Sequence, residues 1–211
     1  FGRYHIHSVI NKAQQAGYQV LYSDTDSIFL ALNNKKLEHV KAFINAINLE
    51  LPEMMELEFD GYYPAGIFVA VKGGGHGAKK RYALLTETGE LKIKGFETVR
   101  RNTSRIAKDV QREVLGILLR ERDEQKAAAY VKDIIGQLRE HQVPKEKVVI
   151  QTQLQREIEH YDAIGPHVAA AQRMKERGME VAPGMIITYV VTRGKNRIRD
   201  RVRLPDEVKT E

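Results

Sequence analysis

Apolar residues recur at helical spacing from Tyr4 to Ala16, through Ile6, Val9, Ile10 and Ala13, and Gly17 follows as a stop signal. The pattern then changes period. Tyr18 to Tyr22 and Ile28 to Leu32 read as two β-strands, and the polar Ser23-Asp24-Thr25-Asp26 between them has hairpin-turn chemistry. Leu37, Val40, Ile44, Ile47 and Leu51 return to steps of three and four, which predicts an amphipathic helix ending near Pro52. Four further strands are expected at Glu56 to Tyr63, Gly66 to Lys72, Arg81 to Glu87 and Leu91 to Gly95, with Gly73-Gly74-Gly75-His76-Gly77 as a mobile connection. Helix, hairpin, helix and antiparallel strands together predict an α+β layer.

After residue 98 long helical patterns replace the strands, at 103 to 120 and 124 to 141. The expected division is therefore 1–98 and 99–211. Pro144 breaks the helical run, Pro166 to Arg177 predicts one more helix, and Met185 to Thr192 is a strongly β-forming stretch before a final basic cluster.

Charge sharpens this outline. The chain of 211 residues has a formal net charge of +6, and residues 79 to 122 alone hold twelve Lys/Arg against six Asp/Glu. A second cluster sets Arg193, Lys195, Arg197, Arg199, Arg201 and Arg203 against the single Asp200, so the remainder is net acidic. Positive charge segregated in this way points to a polyanionic partner, nucleic acid ahead of a membrane surface, because the basic segments lack large apolar faces beside them. No apolar run approaches the roughly 20 residues of a spanning helix, and no membrane role is expected. The start, Phe1-Gly2-Arg3-Tyr4-His5, lacks Met and secretory-signal layout and reads as a chain interior or a trimmed start. Cysteine is absent, which excludes disulfides and thiolate metal sites and suits a reducing cytoplasm.

The candidate chemistry sits in the hairpin. Asp24 and Asp26 place two carboxylates close together at a turn, where their mutual repulsion calls for a cation and their hard oxygens select Mg²⁺ or Mn²⁺. An ordinary solvated turn has the same composition. Arg101, Arg105, Lys108 and Arg112 follow i, i+4, i+7, i+11 spacing, which lays four cations along one helix stripe able to track a phosphate backbone. Ile106, Val110, Val114 and Ile117 form the apolar stripe beside it. A solvated face is the plain alternative for the basic stripe.

Longer strings carry a family resemblance. Tyr22-Ser23-Asp24-Thr25-Asp26-Ser27-Ile28-Phe29 resembles the Tyr-x-Asp-Thr-Asp-Ser palm motif of family B DNA polymerases. Lys79-Lys80-Arg81-Tyr82-Ala83 is similar to the Lys-Lys-Arg/Lys-Tyr segment of the same family, and Lys94-Gly95-Phe96-Glu97-Thr98-Val99-Arg100-Arg101 to the stretch that opens the thumb. Gly165-Pro166-His167-Val168 and Pro183-Gly184 match late thumb elements. The five matches stand in family order, across nearly the whole chain, and point to archaeal-type members, some of which are split between two polypeptides.

The resemblance implies an antiparallel palm sheet with helices followed by a mainly helical thumb. It implies that Asp26 is the principal metal ligand and Asp24 the neighbouring carboxylate, of a two-metal Mg²⁺ site for dNTP addition. Tyr22, Thr25 and Ser27 would hold the hairpin. Lys79, Lys80 and Tyr82 would touch the primer end, Lys80 and Tyr82 from one face of a strand, and Arg100, Arg101, Arg105, Lys108 and Arg112 would grip primer-template DNA.

The departures matter. Asn102 stands where the family usually has Asp, and the Gly73 to Gly77 stretch lengthens the approach to Lys79. The earlier palm motif Asp-x-x-Ser-Leu-Tyr-Pro-Ser and the fingers motif Lys-x-x-x-Asn-Ser-x-Tyr-Gly do not occur. The expectation is a DNA polymerase part, inactive alone and completed in a heterodimer by a larger polypeptide with exonuclease, fingers and the remaining palm, cytoplasmic and nucleoid-associated. Two rival readings are a non-catalytic DNA-binding accessory subunit and an Asp-X-Asp glycosyltransferase.

Overall fold

A computed structural model describes residues 2–70 and 77–208, with side chains for 4–70 and 80–208. The architecture is α+β: helices with three small antiparallel sheets. The chain divides into two compact units, Phe1–Lys92 and Ile93–Glu211.

In the first unit, helix α1 (Gly2–Gln15) buries Val9 and Ala13 and stops at Gly17, whose φ of 76° lets the Tyr18 N–H turn back to the Ala13 carbonyl at 2.9 Å. Strands β1 (Gln19–Asp24) and β2 (Ser27–Ala31) pair antiparallel. Asp24 lies opposite Ser27, so Thr25 and Asp26 alone form the turn, and Leu21 is the extra residue of a bulge in β1. Helix α2 (Leu37–Asn48) follows, seating Ile47 in the interior.

The alternating stretch Glu56 to Tyr63 is not a strand, contrary to the expectation from its period of two. At Leu57 its backbone bonds to a side chain instead of a ladder. The Asn48 amide donates to the Leu57 carbonyl at 3.0 Å and accepts the Leu57 N–H at 2.8 Å, and Tyr63, Asp60 and Lys92 form a mutual polar triad with each contact at 2.8 Å. The hydrogen bonds from Lys92 to Asp60 and then to Tyr63 outweigh desolvation and hold the Lys92 pKa above its usual value.

Strands β3 (Ala65–Ala70), β4 (Gly77–Leu85) and β5 (Leu91–Lys94) form the second sheet in that order. Phe68 pairs with Tyr82, and Ala70 pairs with Gly77, so the single residue Val69 faces the whole segment 78–81. That mismatch is a wide bulge in β4. The expected glycine connection lies outside the described residues, apart from Gly77, which opens β4.

In the second unit, α3 (Arg105–Arg120) and α4 (Glu124–Arg139) pack together, and the short α5 (Lys145–Val148) lies against α3. Asp123 caps α4 by accepting the Lys126 N–H at 2.8 Å. Beyond these helices stands a three-stranded antiparallel sheet, β6 (Ile150–Gln153), β7 (Ile186–Val191) and β8 (Val202–Arg203). Helix α6 (Pro166–Glu176) covers it, and Leu154, Ala170, Ala171, Ile187, Tyr189, Val202 and Leu204 form the buried core between them. Only β7 of these strands was expected from the sequence.

Candidate functional site

Alternation along β1 puts Tyr22 and Asp24 on one face of the hairpin, and pairing adds Phe29 and Ser27 to that face. Tyr22, Phe29, Phe68 and Tyr82 meet there as four rings, with all six centroid separations between 5.2 and 5.9 Å. Contacts of this kind add roughly 0.5–1.5 kcal/mol per pair beyond area burial. The cluster, with buried Leu84 beside it, fastens the hairpin to the second sheet and fixes where its tip points.

A polar contact complements the rings. The Tyr22 hydroxyl accepts the backbone N–H of Lys80 at 2.6 Å, and Lys80 has φ at 57°, a left-handed conformation unusual for a residue with a Cβ. Inside the β4 bulge the N–H has left the ladder, and the tyrosine oxygen takes the place of a strand partner. The same bulge carries the Lys80 ammonium to 4.0 Å from the Asp24 carboxylate.

The two carboxylates therefore differ. Asp24 accepts from the Thr25 N–H at 2.9 Å and the Thr25 hydroxyl at 3.3 Å, and it faces Lys80. The Asp26 side chain is exposed and makes no hydrogen bond or ion pair among the described residues. Both are hard oxygen donors on a short, buttressed turn, a set that fits Mg²⁺ or Mn²⁺. No group of three or more His, Cys, Asp or Glu side chains stands ready for a metal ion among the described residues.

The bulge also overturns one expectation. Lys80 and Tyr82 do not share a face: the Lys80 side chain is 71% exposed, whereas Tyr82 is 6% exposed within the ring cluster. An irregular strand breaks the period of two on which the shared face depended. The Lys79 side chain lies outside the described residues.

In the second unit α3 begins at Arg105, so Arg101 precedes the helix and the expected four-cation stripe shortens to Arg105, Lys108 and Arg112; Arg100, Arg101, Arg105 and Arg112 are exposed and Lys108 is half-buried. None of the five forms an ion pair among the described residues. Ile117 of the expected apolar stripe is buried, joined by Leu115 and Leu119, while Ile106, Val110 and Val114 are half-buried. Gln111, which no sequence pattern marks, ties the Glu97-Thr98 segment to α3: its carbonyl accepts the Thr98 N–H and its amide donates to Glu97, both at 2.9 Å. A glutamine among charged neighbours carries no periodic signal, so only the folded chain reveals it.

A model of the DNA polymerase family B matches residues 3–211. The chain belongs to DNA polymerase family B. The DNA polymerase of Thermococcus kodakarensis is 40% identical over 98% of the chain and 12% of that relative. Those of Methanocaldococcus jannaschii and Thermococcus sp. (strain 9oN-7) are 41% and 39% identical over 98% of the chain, which spans 12% and 26% of their lengths. The structure of the family B DNA polymerase from the hyperthermophilic archaeon Pyrobaculum calidifontis superimposes with a TM-score of 0.67 at 30% identity, covering 96% of this chain and 25% of that one. The chain thus corresponds to a minor part of the length of family B polymerases, and membership leaves the glycosyltransferase reading without support. No helix is long and apolar enough to cross a membrane among the described residues.

Proposed function

We propose that this chain supplies the Asp24 and Asp26 carboxylates and much of the primer-template grip of a DNA-directed DNA polymerase. A larger polypeptide with exonuclease, fingers and the remaining palm completes the enzyme as a heterodimer. The observation that carries this reading is the hairpin tip, where Asp26, a carboxylate without a hydrogen bond or ion pair among the described residues, sits on a two-residue turn held by four packed rings.

Asp26 is the principal ligand and Asp24 the second, because Asp24 already has Thr25 and Lys80 as partners. Two Mg²⁺ ions bound by these residues and a partner carboxylate would neutralise the dNTP phosphates and favour in-line displacement of pyrophosphate by the primer 3′-hydroxyl. Lys80, with Lys79, contacts the primer-terminal phosphates, and buried Tyr82 keeps the platform beneath them in shape. Thr25 and Ser27 hold the turn, and Tyr22 ties it to the bulge. Arg100, Arg101, Arg105, Lys108 and Arg112 form the duplex grip in the second unit. An apolar groove of about 550 Å³ in the first unit, lined by Leu21, Ile28, Leu30, Phe43, Phe59 and Tyr62 among others, supports docking of the larger polypeptide.

Reconstitution tests the reading. The purified chain should bind primer-template weakly and add no nucleotide at any Mg²⁺ concentration, and a polypeptide bearing the first palm motif and the fingers should restore extension. Extension by the chain alone, lost on Asp26→Asn, would overturn the division of labour. Normal extension by the assembled Asp26→Asn enzyme would favour a non-catalytic accessory subunit.

A further inference from the structure

The six cations between Arg193 and Arg203 are not equivalent. Arg201 Nη1 donates to the Thr192 carbonyl at 3.2 Å, and the Thr192 N–H and hydroxyl both donate to the Arg201 carbonyl at 2.9 Å. Arg203 Nη1 donates to the Asp200 and Val202 carbonyls at 3.1 and 2.7 Å. Arg199 is 3.7 Å from the Asp200 carboxylate. These three are engaged within the loop that joins β7 to β8.

Arg193, Lys195 and Arg197 remain. All three are exposed, and their side chains form no hydrogen bond or ion pair among the described residues. Their backbone is nevertheless held. Thr192 and Arg201 close the base of the loop, and Gly194 lies so near Arg201 that an added Cβ would stand 3.0 Å from Arg201 Cδ. Nearby arginines show the contrast: Arg173 pairs with Glu207 at 3.2 Å and Arg177 with Asp206 at 2.6 Å. Three like charges on one short loop, none paired with a carboxylate among the described residues, repel one another, and a dense line of anions relieves that repulsion.

We propose that the β7–β8 loop is a second phosphate-backbone contact, in which Arg193, Lys195 and Arg197 bind duplex nucleic acid without reading its bases. The inference rests on the DNA-binding reading of this chain and adds a surface separate in sequence from the α3 stripe. Two of the three cations are arginines, whose planar forks match phosphate oxygens, and the residues between them are Gly194 and Asn196; Ile198 is the single exposed large apolar side chain of the loop, too little apolar surface to seat it in a bilayer. Phosphate contact alone carries no sequence information.

The test uses the full chain and duplexes of permuted sequence, with binding measured as a function of salt. The wild type, an Arg193→Ala/Lys195→Ala/Arg197→Ala variant and a Lys195→Glu variant would be compared with Arg105→Ala/Lys108→Ala/Arg112→Ala. The loop triple variant is expected to flatten the log–log salt slope by up to about 2.7, at roughly 0.9 per phosphate contact, equally on every sequence. Lys195→Glu should weaken binding in the same direction, and thermal unfolding should not change. A wild-type slope in the loop variants, with binding still lowered by the α3 variant, overturns the loop assignment and leaves the functional reading standing. No duplex binding by the wild type overturns both. Vesicles of anionic phospholipid are expected not to bind, and loop-dependent binding to them at equal charge concentration would assign the loop to membranes.

Discussion

The Tyr22 hydroxyl accepts the Lys80 backbone N–H at 2.6 Å, joining the carboxylate hairpin to the bulged strand that bears the primer-contacting lysines of the proposed enzyme. The bond has a testable value. Tyr22→Phe keeps the ring but leaves that N–H without the hydroxyl, and is expected to lower stability by about 1 kcal/mol, the net value of a typical hydrogen bond, because the site is part-buried. Tyr82→Phe is the control: its hydroxyl makes no hydrogen bond among the described residues, so the change should stay within about 0.5 kcal/mol. Urea unfolding of the two variants measures both, and equal losses would show that the Tyr22 hydroxyl carries no special weight.

The two aspartates should separate in the assembled polymerase. Asp26→Asn is expected to reduce extension below detection while duplex affinity stays near the wild type. Asp24→Asn, whose carboxylate also bonds Thr25, should cost about 10–100-fold, the range seen when support of a metal ligand is lost. Single-turnover extension in Mg²⁺ and in Mn²⁺, with affinity measured alongside, tests the order. A larger loss for Asp24→Asn would reverse the assignment of principal ligand.

Neutralising Arg105, Lys108 and Arg112 together is expected to weaken duplex binding and reduce the log–log salt slope by up to about 2.7, at roughly 0.9 per phosphate contact. None of the three pairs with a carboxylate among the described residues, so thermal unfolding should change little. An unaltered slope would make this stripe a solvated face.

Acid should loosen the second unit through its C-terminal clasp. Burial raises the Glu207 pKa, but bonds from Arg173 and the Leu204 N–H, with the charges of Arg173 and Arg177, outweigh it and hold the carboxyl below its usual value. The Arg177 hydrogen bond holds Asp206 low as well. Groups with depressed folded-state pKa values stabilise the fold above their unfolded values, about 3.9 for Asp and 4.3 for Glu, and lose that contribution as pH falls through the lower folded values. The wild-type melting temperature should therefore drop below about pH 4. Asp206→Asn/Glu207→Gln should melt lower at pH 7 and show a shallower acid drop, and parallel melting curves would remove the clasp from the account.

Periodic segments are legible in the sequence. The helices near α1, α2, α3, α4 and α6, the hairpin and β7 all follow from residues whose spacing already commits them to one face. Two strands escape because they are short and depend on distant partners: β6 is Ile-Gln-Thr-Gln, pairing Ile150 with Tyr189, and β8 is two residues inside a basic run. The alternating Glu56 to Tyr63 stretch misleads for the opposite reason, since alternation supplies no strand partner and the Asn48 amide takes the Leu57 N–H and carbonyl. At the site, the aspartate hairpin is visible as a string. The Tyr22–Lys80 bond spans 58 residues and needs a bulge that no local pattern announces.

The hairpin and the β3–β4–β5 sheet are separate sheets, and among the described residues side chains join them: the four rings with Leu84, the Tyr22 hydroxyl on the Lys80 N–H, and Lys80 at 4.0 Å from Asp24. Ring pairs lose contact energy when they separate or leave their preferred edge or offset geometry, so packing of this kind holds direction as well as distance. The hairpin is consequently seated as one stiff piece, its own strand pairs independent of the joint. Asp24 lies two residues beyond Tyr22, roughly 7 Å along the strand at about 3.4 Å per residue, so a small rotation at the rings is magnified at the tip. The joint acts as a clamp under a rigid pointer: ring packing set back along the strand aims both carboxylates, while their spacing to each other is set by the turn.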